Sequence, residues 1–561
     1  MTPWRTALAW GGGTRGGRWG LAVCGAAVLV SVTTIVLRFI FDGQPTQDEE
    51  AEVYRSLRYA SGDFRPTFVA WGALPSYVLF LLFGVAYVAG RVLGSFSSTE
   101  DYLRLYLTDP GLFFLIGRAM YALVGGILLL AIARFTTRRY GPVAGAAAVM
   151  ALAFLPLTTT FSTTVKCDGL AALFGALAVF ASLPSADTEG GEGPGAKRAL
   201  LSGSLLGAAV GVKYHLLLTL PGILLGLWQG DKGGRPRRLY LALSAMVLVF
   251  LLCNPFLVLS PEEWLLGDYG LFRMFGHMDP RKTAAYSRAD LWGYFRGGVG
   301  GLIPALLLLA SLPVAAVRGG VAERAVSLSA VSFLAILAAQ PYAEPHHLLP
   351  CLPLLSVLFG RAVADSAERW TKGPWIPVVL LALFLLLPLG NAVATIRGSA
   401  LPNTLSDCRR WTEANLPSGS RVLVDWAYVP TLHRDPADIR AELEDGRPDS
   451  PARVAFLRRV LRLDLKPAYR LGVLAARLRE SQDPAEAAHF DIDRYRRDGF
   501  EFALISDAWY GRFFGKVQLP EDQPVRDFYT ALLRDFPVLV RFEPEEGVRV
   551  GPSIRMIDLR R

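Results

Sequence analysis

The feature that most constrains this chain is a succession of long apolar runs separated by short loops rich in Lys and Arg. Runs of roughly 18–22 apolar residues match the thickness of a bilayer when helical. In lipid a helix is also the only open way to satisfy backbone N–H and C=O groups. The whole chain agrees: of 561 residues, 52% are hydrophobic and only 19% charged, with mean hydropathy +0.34. The runs fall at 21–41, 112–135, 142–159, 170–183, 240–259, 299–317, 325–340, 348–363 and 375–394. The stretch 199–228 holds two shorter apolar halves around Lys213, which reads as a hinged pair of short helices. Counting both halves, about eleven spans are expected.

The charge pattern orients them. Arg5, Arg15 and Arg18 precede the first run, RFTTRRYG occupies 134–141 and QGDKGGRPRR occupies 229–238. Placing such segments inside puts the N-terminus in the cytoplasm of a plasma (inner) membrane protein and the C-terminus outside. The net charge of +9 is accounted for by these loops, so no nucleic-acid partner is expected. The first run has a basic leader but no small-residue cleavage site, and reads as a retained span. Cysteines 24, 167, 253, 351 and 408 show no disulfide or zinc spacing.

Two external loops follow from this orientation, 42–111 and 260–296. Within the first, helices are expected near 48–60 and 73–90, the second lying along the interface because spanning there would invert every later loop. After residue 399 the composition changes: 400–561 is rich in Arg, Asp and Glu and has no spanning run. Strands are expected at 421–426, 502–506, 538–542 and 553–559, and helices at 404–415, 451–463, 468–480 and 522–535. The fold class is therefore a polytopic α-helical membrane protein (residues 1–399) with a C-terminal extracytoplasmic α/β domain (400–561).

Candidate chemistry begins right after the first run, where Asp48, Glu49, Glu50 and Glu52 crowd into five residues. Adjacent helical residues point about 100° apart, so only one can face a given substrate. A carboxylate there can act as a general base on an acceptor hydroxyl, with a neighbour to orient it or hold a cation. Equally, the cluster can simply favour a helix N-terminus and keep the loop in water. Lys213 lies in an apolar stretch and must snorkel, pair or bind an anion such as a lipid-linked phosphate; Tyr214 and His215 complete a polar triplet. Lys166 and Asp168 form a pair at an outer edge, or an ordinary loop pair. His346 and His347 flank a bend beside Glu344, an arrangement commoner as interfacial structure than as metal ligation. His277, with Arg281, is a candidate for acceptor or headgroup contact, and Arg118, inside a span, should face the bundle or an anionic headgroup.

These residues carry a resemblance. QDEEAEVYRSLRYASGDF with FVAWGALPSYVLFLLFG resembles the first external loop of polyprenyl-phosphate-sugar-dependent glycosyltransferases of the GT-C superfamily, nearest the bacterial protein mannosyltransferases and aminoarabinose transferases. IGRAMYALVGGILLLAIARFTTRRYG, TVKCDGLAALF, GAAVGVKYHLLLTLPGIL and EPHHLLPCLPLLSVLFG resemble later family segments in order, and WTEANLPSGSRVLV is typical of the tail. The family often has Arg or Lys with Tyr where this chain has His346 and His347, and the second-loop match rests on Asp168. The resemblance implies a polyprenyl-phosphate-linked sugar donor entering from the membrane lipid, and a glycan, lipid or protein acceptor approaching from outside. Asp48 would be the base of an inverting single displacement and Glu49 would orient it. Lys213, with Lys166 or Arg118, would hold the departing phosphate. No cofactor is assigned, and a divalent cation is left open because the superfamily varies. The rival class is a transporter or lipid flippase using the same intramembrane charges as a pathway.

Overall fold

The computed structural model describes residues 47–65, 69, 71–184, 193–266, 288–340, 343–369, 375–445, 451–474, 490–515 and 518–560, with single positions between 25 and 36 and at 272. The expected first span, most of the second external loop and His277 lie outside the described residues.

The helical part opens with α1 (Gln47–Arg58), α2 (Leu74–Val92) and α3 (Thr99–Thr108), then α4 (Gly111–Tyr140) and α5 (Pro142–Ala153). It continues with α6 (Asp168–Ser182), α7 (Ala196–Val212), α8 (Leu220–Leu227) and α9 (Arg235–Cys253). The last four are α10 (Leu302–Arg318), α11 (Val321–Ala339), α12 (Leu352–Arg369) and α13 (Trp375–Ser399). Among the described residues five helices are long and apolar enough to cross a membrane, or six if Leu291–Gly298 and α10, bent by 104°, count as one. The expected count of eleven includes a first span outside the described residues, and several other apolar runs are broken into shorter helices. The run 142–159 stops where Leu155 turns extended (φ −61°, ψ 137°) before Pro156, whose ring excludes the helical conformation at the preceding residue. The run 240–259 likewise breaks at Asn254, before Pro255. Lys213 interrupts 199–228 with an extended backbone (φ −145°, ψ 120°), so the expected two-part form is present. The helix α2 meets the length and composition of a span, whereas the sequence reading laid it along the interface.

Small residues set the closest helix pair. Gly203, Gly207 and Gly211 repeat every fourth residue along α7 and face α9. A Cβ at Gly203 would lie 2.0 Å from the Ala242 carbonyl oxygen, and one at Gly207 2.4 Å from that of Met246. Lipid gives no hydrophobic drive between helices, so close backbone approach and dispersion must hold them. The same device pins the loop before α2: a Cβ on Gly72 would sit 1.6 Å from the Gly211 carbonyl oxygen, and the Gly72 amide donates to Val212 O at 3.0 Å.

Beyond α13, α14 (Thr404–Asn415) leads into β1 (Arg421–Asp425), α15 (Pro436–Glu444), α16 (Pro451–Leu463) and β2 (Arg470–Leu474). β3 (Phe502–Ser506), α17 (Gln523–Asp535), β4 (Val538–Phe542) and β5 (Ile554–Asp558) complete the unit. One sheet runs in the order β2-β1-β3-β5-β4, with β1 parallel to β2 and β3, and β5 antiparallel to β3 and β4. Central β3 is buried along its length. Ala503 and Ile505 join the layer of Phe513, Phe528 and Tyr529, while Phe502 and Leu504 join that of Cys408 and Leu416. A strand covered on both faces reads as a continuous apolar run. The helix expected over 468–480 is corrected: 470–474 is β2, because pairing with β1 overrides a local preference. The short helices α3 and α15 escaped the sequence reading. α3 carries a legible start, since Ser98 and Asp101 form a reciprocal capping box.

Candidate active site

The acidic cluster sits on the first turns of α1, and the helical turn sends each carboxylate to a different neighbour. Asp48 reaches the loop before α6, where Lys166 Nζ donates to its Oδ2 at 2.6 Å. Glu49 turns into the bundle. Arg118 of α4 donates through Nε to Glu49 Oε1 at 2.8 Å and through Nη2 to Oε2 at 3.2 Å, and the Val165 amide adds a bond to Oε1 at 3.1 Å. Glu52, one turn beyond Asp48, accepts from Ser76 Oγ of α2 at 2.7 Å with the Arg55 guanidinium beside it. Glu50 is left exposed.

A second pair lies deeper. Lys213 Nζ, freed from helical packing by the break between α7 and the turn 214–219, donates to Asp168 Oδ1 at 2.5 Å. Both side chains are nearly inaccessible (3% and 0%), as are Arg118 and Glu49 (3% and 0%). Buried charges persist only when paired with good geometry. The Asp48–Lys166 pair differs: Lys166 is 10% exposed but Asp48 is 44% exposed. Of the three carboxylates paired to cations here, Asp48 alone presents open oxygen to a ligand.

Lys166 also connects to the segment before α12. Its Nζ lies 3.4 Å from His346 Nδ1, which is 3.2 Å from Glu344 Oε2. The His346 and His347 rings meet at 4.4 Å, and His215 stands 5.5 Å from His347. The expected triplet thus divides: Lys213 goes to Asp168, His215 to the histidines, and the Tyr214 hydroxyl donates to Val69 O at 2.8 Å. The expected Lys166–Asp168 pair is exchanged for Lys166–Asp48 and Lys213–Asp168. Adjacent side chains across a helix start point apart, and each finds a partner from another element. Asp48, Glu49, Arg118, Lys166, Asp168, Lys213, His346 and His347 therefore assemble around one point, Tyr214 borders it, and His277 is outside the described residues. Glu344 joins them and was not singled out as a site residue; its neighbour His346 was the available signal. Among the described residues no three His, Cys, Asp or Glu side chains converge to hold a metal ion. The Lys166 ammonium stands within reach of both the Asp48 carboxylate and the His346 ring.

Comparison with known proteins agrees with this architecture. Residues 114–259 match the family model "Dolichyl-phosphate-mannose-protein mannosyltransferase". No curated protein matches the chain by sequence. Among solved structures, ArnT from Cupriavidus metallidurans bound to undecaprenyl phosphate is similar over 95% of this chain and 98% of its own, at 13% identity and TM-score 0.51. The Archaeoglobus fulgidus oligosaccharyltransferase in complex with Zn and sulfate is similar over 89% of this chain and 70% of its own, at 13% identity and TM-score 0.53. The same enzyme tethered to an acceptor peptide gives TM-score 0.52 at 13% identity, over 90% and 71%. The chain thus shares the fold of these solved structures at 13% identity, and its segment 114–259 is similar to the mannosyltransferase family model.

Proposed function

We propose that this protein moves a sugar from a polyprenyl-phosphate-linked donor to an acceptor hydroxyl at the outer face of the membrane, with inversion at the anomeric carbon. The observation that carries the reading is the open Asp48 carboxylate, 44% exposed, set against the Lys166 ammonium and two sealed ion pairs. The relatives supply the donor class: ArnT was solved with undecaprenyl phosphate and the archaeal enzyme with a dolichol-phosphate.

The chemistry follows from the pairing. A donor phosphate arriving from the bilayer competes with Asp48 for Lys166, whose ammonium stands between Asp48 and His346. Lys166 then turns to the phosphate, and Asp48, relieved of its partner, is free to accept the proton of an acceptor hydroxyl. The acceptor oxygen bonds to the anomeric carbon as the bond from that carbon to the phosphate oxygen breaks. The electron pair leaves with the polyprenyl phosphate, whose growing charge Lys166 stabilises. Glu49–Arg118 and Asp168–Lys213 fix the backbone around Val165–Asp168 so that Lys166 stays in range. This revises the roles of Lys213, Arg118 and Glu49 to positioning: each is already committed to a buried partner. The sheet-containing unit and the loop bearing α3 lie outside the membrane on this reading.

The test is sugar transfer by the reconstituted protein from polyprenyl-phosphate sugars, comparing parent with Asp48→Asn. Loss of turnover with retained donor binding is expected. Full activity in Asp48→Asn removes it as base, and substrate-coupled transport without transfer overturns the enzyme reading. A cysteine placed at Ser97 should label from outside; labelling only from inside overturns the topology.

A further inference from the structure

The surface of the sheet-containing unit is divided. Among the described residues its exposed aromatic side chains are Trp426 (46% exposed), Tyr428 (37%) and Phe514 (40%). Trp426 and Tyr428 follow β1, and Phe514 closes the short turn Gly511–Phe514 that follows β3. β1 and β3 are parallel neighbours, so all three rings stand at one end of the sheet. Buried contacts bind the two segments: the Ser506 amide donates to Asp425 Oδ2 at 2.7 Å, and Ala427, Trp509 and Phe513 share one core with Tyr529. Tyr428 holds a left-handed backbone (φ 62°), a conformation a bulky aromatic adopts only where its surroundings enforce it. The opposite end, before β3 and after β5, is charged instead. Asp493, Arg494, Arg496, Arg497 and Asp498 are exposed there, and Arg496 Nε donates to Leu559 O at 3.1 Å.

The aromatic end is also the end that receives the chain from the last apolar helix. α13 ends at Ser399, with Arg397 in its last turn. Three residues on, Pro402 O accepts from the Val550 amide at 2.9 Å, and the Thr404 amide donates to Val550 O at 2.9 Å. From Val550 the chain enters β5 past Ser553, whose amide donates to Asp507 Oδ1 at 2.9 Å and whose carbonyl accepts from the Asp507 amide at 3.0 Å. Asp507 is the first residue beyond β3. Three residues reach at most about 10 Å, and headgroups fill about 5–8 Å on each side of the hydrocarbon core. The tether therefore holds the aromatic end within reach of the headgroup layer that surrounds the end of α13.

We propose that Trp426, Tyr428 and Phe514 form a membrane-surface anchor: the three rings enter the headgroup layer beside α13 and hold the sheet-containing unit down on the bilayer. The proposal rests on α13 being a span, and not on which reaction the protein catalyses. Trp and Tyr favour that layer because each ring has an apolar body and a polar tip. Arg512, stacked over Trp509 at 3.8 Å, puts a guanidinium on the same segment as Phe514, at the level of lipid phosphates. A short tether keeps lipid beside this end at all times, whereas any other partner would have to displace it.

The test uses the full chain in nanodiscs of phosphatidylcholine and phosphatidylglycerol, in a Cys24→Ser background; Cys167, Cys253, Cys351 and Cys408 are buried. Nitroxides are attached singly through Trp426→Cys, Tyr428→Cys and Phe514→Cys, and through Asp493→Cys and Arg497→Cys at the charged end. Collisions with oxygen, which concentrates in lipid, are compared with collisions with a water-soluble nickel chelate. The oxygen-to-nickel ratio should be several-fold higher at the three aromatic positions than at 493 and 497. Equal ratios at both ends overturn the proposal. So does shielding of the aromatic positions from both reagents, which places the rings against protein. Joint Trp426→Glu and Tyr428→Glu should bring the ratio at 514 down to that at 493 and leave the ratio at 497 as it was. An unchanged ratio at 514 shows that these rings do not hold the unit to the bilayer, and overturns the anchor.

Discussion

The helical part and the sheet-containing unit bury carboxylates in opposite ways. In the helical part Glu49 and Asp168 are fully inaccessible, and each faces a cation delivered by another helix or its end. In the sheet Asp425 is as deeply buried, and its hydrogen bonds come from an amide and a phenol rather than from a cation. The first arrangement balances each carboxylate with an opposite charge. The second leaves the acid to respond, and burial pushes Asp425 up to about 7.

Four measurements break or sharpen that contrast. The largest effect is on rate: Asp48→Asn should lower sugar transfer by about 10²–10⁴-fold, the usual contribution of a positioned base, with donor binding retained. Stability comes next. Lys213→Met leaves Asp168 buried and unpaired and should destabilise by about 3–5 kcal/mol in a detergent melt. Joint Asp168→Leu with Lys213→Met should recover most of that loss, and failure to recover would show that the pair is more than mutual neutralisation. The third is pH dependence. Asp425 binds its proton more tightly folded (about 7) than at the ordinary 3.8, so the stability it contributes is present at low pH and lost as pH rises through about 7. Unfolding should be about 2–3 kcal/mol harder at pH 5 than at pH 8 from this group alone, and Asp425→Asn should flatten that slope. The smallest effect belongs to the exposed Arg462–Glu100 pair between the two parts, 3.3 Å apart. Glu100→Gln should leave the melt nearly unchanged, and any remaining shift should vanish with added salt.

Much of this was legible in the residues. The extents of α14 and α16 and the positions of β1, β3, β4 and β5 follow from local apolar period and turn signals, because burial on a sheet or helix face imposes that period. The break at Lys213 was legible because an ammonium interrupts an apolar run. β2 was not, since Arg470–Leu474 becomes a strand only by lying beside β1. The interruptions at Leu155 and Asn254 were announced by the prolines after them, yet apolar content alone ran straight through.

The candidate site divides along the same line. The sequence by itself determined which charges are forced to find partners: Asp48, Glu49, Arg118, Lys166, Asp168 and Lys213 all border apolar runs where a lone charge is costly to desolvate. Only the tertiary structure decided who pairs with whom. The 100° turn between adjacent helical residues separates Asp48 from Glu49, the loop before α6 brings Lys166 to the first, and α4 brings Arg118 to the second. That assignment leaves one carboxylate open and two sealed, a distinction that residue type and spacing do not contain.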